Sequence, residues 1–89
     1  MTAYNAANYR GQALRAAARR ASGELVTDGR YSARYDPTVE SYALYVNDRL
    51  LITLETVGPN HMSVKNMPLR LPYGNAAAEE AEIAEGFVR

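Results

Sequence analysis

The sequence predicts an α+β fold in which an N-terminal and a C-terminal helix pack on one face of a small, mainly antiparallel sheet of three to five strands. Three observations carry this prediction. Apolar residues recur at helical spacing near the N-terminus, and two hairpin signals interrupt alternating segments in the middle. An alanine- and glutamate-rich run follows at residues 76–85. Eighty-nine residues suit one domain, so residues 1–89 are assigned to a single unit.

The first helix is predicted to begin after Asn5, which suits the N-cap position, and to stop at Gly23. Its apolar stripe follows steps of seven, four, three and four: Ala7, Leu14, Ala18, Ala21 and Leu25. Gly11 lowers the helix propensity by roughly 1 kcal/mol relative to alanine. Such a glycine indicates a position where another backbone comes close.

Two hairpins are predicted after this helix. Asp28 and Gly29 are expected to form the first two-residue turn, because type I′ turns favour this pair. In the arm that follows, alternation places three side chains on one face: Tyr31, Ala33 and Tyr35. The other face receives Arg30, Ser32 and Arg34.

The second hairpin is predicted to turn at Asn47 and Asp48. A regular ladder from that turn directs three opposed pairs toward the helices: Tyr45 with Leu50, Ala43 with Ile52, and Ser41 with Leu54. The reverse face then carries Tyr42, Leu44, Leu51 and Thr53. A face this apolar is expected to be covered by another layer or by a partner.

A turn at residues 58–60 and a short strand at residues 62–67 complete the predicted sheet. Residues 68–75 are expected to form an extended connector, since Pro68, Pro72 and Gly74 interrupt regular structure. Asn75 is expected to cap a last helix that Gly86 ends, leaving Phe87 as an apolar anchor.

Charge is unevenly distributed along a chain whose formal net charge is zero. Residues 1–35 contain six arginines and two acids, and residues 36–89 contain eight acids and four basic residues. The balances of +4 and −4 indicate either contact with nucleic acid or pairing of opposite charges. We expect the basic N-terminal helix mainly to pair with the acidic C-terminal helix or with a second copy.

Composition and motifs argue against catalysis and cofactor binding. The chain contains no cysteine and one histidine, His61, so we predict no metal, no other cofactor and no enzyme activity. No phosphate-binding, dinucleotide-binding or metalloprotease motif is present. We expect no signal peptide or membrane span and therefore a cytoplasmic protein.

The predicted function is that of a non-enzymatic protein-binding module. Amphipathic tyrosines and the reverse sheet face supply its predicted contact surface: Tyr31, Tyr35, Tyr42, Leu44 and Leu51. The lean core, with fifteen alanines, also predicts a homodimer or another covering partner. In size and character the chain resembles phage and mobile-element accessory proteins such as anti-CRISPR inhibitors, which implies inhibition of a larger host complex.

The alternative prediction is a nucleic-acid-binding accessory protein. It would bind phosphates through an arginine face composed of Arg15, Arg19, Arg20, Arg30 and Arg34.

Overall fold

The computed structural model describes residues 6–67 and 75–88, the latter with side chains from residue 78 onward. It contains two helices and five strands: α1 (Ala6–Ala21), β1 (Val26–Asp28), β2 (Tyr31–Asp36), β3 (Ser41–Val46), β4 (Arg49–Gly58), β5 (His61–Asn66) and α2 (Asn75–Val88). The strands form one open antiparallel sheet in the order in which they occur in the chain. Both helices pack on one face of this sheet, and the predicted α+β fold is confirmed.

Helix α1 follows the predicted stripe except at its end. Leu14 and Ala18 are buried, whereas Leu25 lies beyond the helix and is 48% exposed. The helix stops at Ala21 because Ser22 and Gly23 both adopt positive φ angles, of 52° and 99°. The predicted cap, Asn5, lies outside the described residues.

The two helices touch through backbone at a glycine on each. A Cβ atom added to Gly11 would meet the Ile83 carbonyl oxygen and would lie 2.6 Å from the Phe87 nitrogen. One added to Gly86 would meet the carbonyl group of Asn8. The close approach predicted at Gly11 is therefore confirmed, but Gly86 does not end α2, which continues to Val88.

The first hairpin turns one residue later than predicted. Asp28 pairs with Tyr31 across the ladder, so the turn residues are Gly29 and Arg30. Gly29 has a φ of 61° and Arg30 is not in the positive-φ region, the pattern of a type II′ turn with glycine first.

The second hairpin turns at Asn47 and Asp48 as predicted, with positive φ angles of 49° and 63° that fit a type I′ turn. Its ladder differs from the prediction because the register shifts between Leu44 and Tyr45. Tyr45 still opposes Leu50, but Leu44 then opposes Ile52, which leaves Leu51 as an extra residue in β4.

Beyond this bulge the predicted pairs of Ala43 with Ile52 and Ser41 with Leu54 are wrong. Ala43 opposes Thr53, and Tyr42 opposes Leu54. The predicted faces of β3 are also reversed: Tyr42, Leu44 and Val46 are buried beneath the helices.

The predicted turn near residues 58–60 and the strand after it are present as Pro59–Asn60 and β5. Phe87, the predicted anchor, is fully buried in the core cluster. The predicted connector at residues 68–74 and the side chain of Asn75 lie outside the described part of the chain.

Candidate functional site

The predicted tyrosine surface lies inside the protein. All five of its residues are at most 7% exposed: Tyr31, Tyr35, Tyr42, Leu44 and Leu51. Tyr35 and Tyr42 stack with ring centroids 4.6 Å apart, and Tyr42 meets the edge of Phe87 at 6.1 Å. Their placement on an exposed sheet face is therefore wrong, because the face that carries them is the one the helices cover.

The reverse face of the sheet is largely polar. Across β2 and β3, Ser32 pairs with Tyr45 and Arg34 pairs with Ala43. Ala43 in turn pairs with Thr53 of β4. Its apolar side chains are flanked by serine, threonine and charged residues, the pattern of a sheet face that meets water. The argument that this face needs a cover no longer holds.

One cluster of charges joins α1, the first hairpin turn and α2. Arg10 lies 3.3 Å from the Asp28 carboxylate and 3.4 Å from Glu79. Arg30 lies 3.8 Å from Glu79 and 3.6 Å from Glu80. Among the arginines of α1, the expected pairing with the acidic helix α2 is confirmed for Arg10, and Arg30 of the hairpin turn also pairs with α2.

Arg30 also contacts Tyr31, so it lies on the helix side of the sheet and not on the predicted reverse side. Its Nη2 atom donates to the Tyr31 hydroxyl at 3.1 Å, and its guanidinium lies 5.3 Å from the centre of that ring. This hydrogen bond, aided by Glu80 and Glu79, raises the pKa of Arg30. The guanidinium, which is charged at physiological pH in any case, therefore lies beside both acids and the Tyr31 ring.

We expect Arg10→Gln to lower the free energy of unfolding by less than about 1 kcal/mol. The side chains of Arg10, Asp28 and Glu79 are 41%, 55% and 48% exposed, and exposed ion pairs are strongly screened. Urea unfolding at low and high salt measures the effect, which should shrink as salt rises. A larger, salt-independent loss would show that Arg10 acts through packing on Tyr31, whose ring centre lies 5.7 Å away.

Two further arginines of α1 are anchored by neutral oxygens. Arg15 Nη1 donates to the main-chain carbonyl of Phe87 at 2.9 Å. Arg19 Nη1 donates to the Tyr42 hydroxyl at 2.9 Å, and its guanidinium lies 5.4 Å from the centre of the Tyr35 ring. No carboxylate of the described residues lies within salt-bridge distance of either arginine, so the expected pairing with α2 is wrong for these two.

The hydrogen bond that Arg19 donates to the Tyr42 hydroxyl is the main cause that raises the pKa of Arg19, followed by the charge interactions with Tyr42 and Tyr35 and, more weakly, Glu40. Like other arginines, Arg19 is a cation at physiological pH, and its contacts with Tyr42 and Tyr35 orient it. Because its anchors are neutral groups, they orient the charge without cancelling it.

Arg15 and Arg19 line an open cleft between α1 and the turn that joins β4 to β5. The cleft has a volume of about 280 Å³, slightly below the roughly 300–1,000 Å³ of small-molecule pockets. Besides the two arginines, its lining consists of Thr56, Gly58, Pro59, Asn60, His61, Met62 and Val88. Its size and openness suit a group projecting from a larger partner. We refer to these nine residues as the arginine cleft.

A second depression continues the cleft along the end of β4. The two share Arg19, Thr56, Gly58 and Pro59, and the second adds Glu40 and Val57. Glu40 has a φ of 50°, and its main-chain oxygen accepts a hydrogen bond from Thr56 at 3.1 Å. Sequence reasoning missed Glu40, His61 and Val88 as parts of one surface, because they come together only in the folded chain.

The five arginines predicted to bind nucleic acid do not form one face. Arg15 and Arg19 line the cleft, and Arg20 is exposed near the end of α1. Arg30 is paired with Glu79 and Glu80. Arg34 lies on the opposite face of the sheet, because alternation in β2 separates it from the buried Tyr35.

The described residues contain no group of three histidine or acidic side chains arranged to hold a metal ion. Neither described helix combines the length and the apolar character needed to cross a bilayer. No family model matches the chain, and no curated protein or solved structure does.

Proposed function

We propose that this chain is a non-enzymatic protein-binding module and that the arginine cleft is its contact surface. One observation carries the proposal: two guanidinium groups are held in place by neutral oxygens and have no carboxylate partner among the described residues. Fixed, uncompensated arginines lose little conformational freedom on binding, and arginine is enriched in the residues that dominate binding energy at protein interfaces.

The surroundings of these arginines favour a protein partner over nucleic acid. Pro59, Met62 and Val88 add apolar contact area inside the cleft, and Val57 is 54% exposed beside it. Methionine and arginine are characteristic of protein interfaces. This proposal moves the contact surface from the predicted tyrosines, which are buried, to the end of α1.

Two observations weaken the nucleic-acid alternative. Tyr31 and Tyr35, the side chains that would stack on bases, are 1% and 7% exposed. Arg30 and Arg34 lie away from the cleft, so the remaining cationic surface is small for a phosphate backbone.

The proposal is tested by affinity capture from a lysate of the natural source, after nuclease treatment. We compare the wild type with the double variant Arg15→Gln, Arg19→Gln. The control, Arg34→Gln with Arg49→Gln, removes the same charge from two exposed positions outside the cleft. We expect the wild type and the control to retain the same protein, and the cleft variant to retain at least about tenfold less, as for loss of a charge-assisted contact.

Equal capture by all three proteins would place the contact surface elsewhere. Loss of capture on nuclease treatment, with affinity for random duplex DNA that falls steeply as salt rises, would favour the nucleic-acid alternative. The role as a phage accessory protein or inhibitor stays a prediction from size and character.

A further inference from the structure

Four arginines of the described chain fall into two groups according to what their guanidinium groups contact. Arg10 and Arg30 lie within 4 Å of carboxylates supplied by Asp28, Glu79 and Glu80. Arg15 and Arg19 are instead bound to a peptide carbonyl and a phenol hydroxyl. The first group has its counter-ions within the fold. The second group has oriented donors and no carboxylate of the described residues within salt-bridge distance, and the charge of Glu40 acts on Arg19 from farther away.

Each anchoring bond uses only one part of its guanidinium group. Arg15 and Arg19 both donate through Nη1, and a guanidinium has five N–H donors in a rigid planar fork. The remaining donors, on Nη2 and Nε, form no hydrogen bond with another described residue. A planar fork with unused donors matches a carboxylate or phosphate group and binds it with two parallel hydrogen bonds.

The other groups around the cleft favour a carboxylate over a phosphate. Glu40 lies in the adjoining depression next to Arg19, and its negative charge repels a second anionic group in that direction. Met62, Pro59 and Val88 contribute apolar side chains to the cleft, beside the polar side chains of Thr56, Asn60 and His61. A single carboxylate on an amino-acid side chain satisfies this combination of oriented donors, partly apolar walls and a nearby acid. A phosphodiester backbone, which brings a line of charges, does not.

We propose that the arginine cleft receives a single aspartate or glutamate side chain of the partner protein. This inference rests on the proposed function and specifies its chemistry. Arg15 and Arg19 supply the fork donors, and the apolar walls pack against the methylene groups beside the carboxylate. Glu40 limits the site to one anion.

The test is a nitrogen-15 NMR titration at low salt with an acetylated and amidated peptide of one glutamate flanked by two alanines on each side, whose only charge is the glutamate carboxylate. We expect amide shifts confined to the cleft, at Arg19, Asn60 and His61. Arg19→Gln should weaken binding about tenfold or more, the scale of losing a charge-assisted hydrogen bond. Glu40→Gln should tighten binding, since it removes a repulsive charge without removing a donor.

Arg34→Gln is the matched control, because it makes the same change of charge on the opposite face of the sheet. Binding within twofold of wild type is expected for it. The spectrum of Arg19→Gln also reports whether the variant is folded. If it is not, Glu40→Gln and Arg19→Lys, which retains the charge but not the fork, provide the comparison.

Equal weakening by Arg34→Gln and Arg19→Gln would overturn the inference, since it would indicate general electrostatic attraction. Absence of binding at low salt, or tighter cleft-dependent binding of a twelve-base-pair duplex than of the peptide, would also overturn it. If the peptide fails to bind while affinity capture still depends on Arg15 and Arg19, the carboxylate inference falls and the protein-binding proposal stands. If the peptide binds in the cleft but capture is equal for all variants, the proposed function falls and the carboxylate site stands.

Discussion

Gly11→Ala is expected to lower the free energy of unfolding by about 2 kcal/mol, although alanine is the better helix former. Helix propensity alone favours the change by roughly 1 kcal/mol. The added Cβ would meet the Ile83 carbonyl and lie 2.6 Å from the Phe87 nitrogen, so main chain surrounds it and no side chain can rotate away. Overpacking of this kind costs about 1–3 kcal/mol and at times more, which outweighs the propensity gain. Thermal unfolding should show a midpoint lowered by roughly 8–16 °C.

Gly58→Ala is the control for this measurement. The nearest atom to its added Cβ is the His61 Cβ at 3.8 Å, an ordinary contact, and its backbone is not in the positive-φ region. We expect its unfolding midpoint to remain close to wild type. If Gly11→Ala were as stable as wild type or more so, the two helices would not meet through their backbones in solution.

Phe87→Ala is expected to cost about 3–5 kcal/mol, the usual loss for removing a fully buried aromatic ring. Phe87 is 0% exposed and makes an edge contact with the Tyr42 ring. A domain of this size is stable by only about 4–13 kcal/mol, so the variant should lose a large share of its stability. Circular dichroism during urea titration measures the loss.

Val39→Ala provides the comparison, because Val39 is an apolar residue that is 56% exposed. We expect it to change stability by less than about 0.5 kcal/mol. Phe87→Leu should lie between the two, since it retains part of the buried volume. A cost for Phe87→Ala as small as that for Val39→Ala would mean that the last turn of α2 does not belong to the core.

The turn residues and the spacing of apolar residues were sufficient to predict the fold class. Asn47 and Asp48 adopt the left-handed conformations that their residue types favour, and the hairpin turns where they lie. The extra residue Leu51 was not predictable, because alternation alone assumes a regular ladder. The choice of buried face also failed, since β3 offers apolar side chains on both sides and only packing against Leu14 and Phe87 decides between them.

The candidate site was predictable only in part. The basic run in α1 identified Arg15 and Arg19, but not that a carbonyl and a phenol would hold them. The prediction also placed Arg30 in the arginine face. Its contact with Glu80 was not predictable, because the two residues lie far apart in the sequence. Residues from the β4–β5 turn entered the site through tertiary packing, for which a single sequence contains no local signal.

The bond from Arg15 to the Phe87 carbonyl joins positions separated by 72 residues. Each strand, by contrast, pairs with the strand next to it in the chain. Short loops close at low entropic cost, so the hairpins are expected to assemble early and the helix pair late. The arginine cleft would then form only when folding is complete. An incompletely synthesised or truncated chain would therefore lack this binding site.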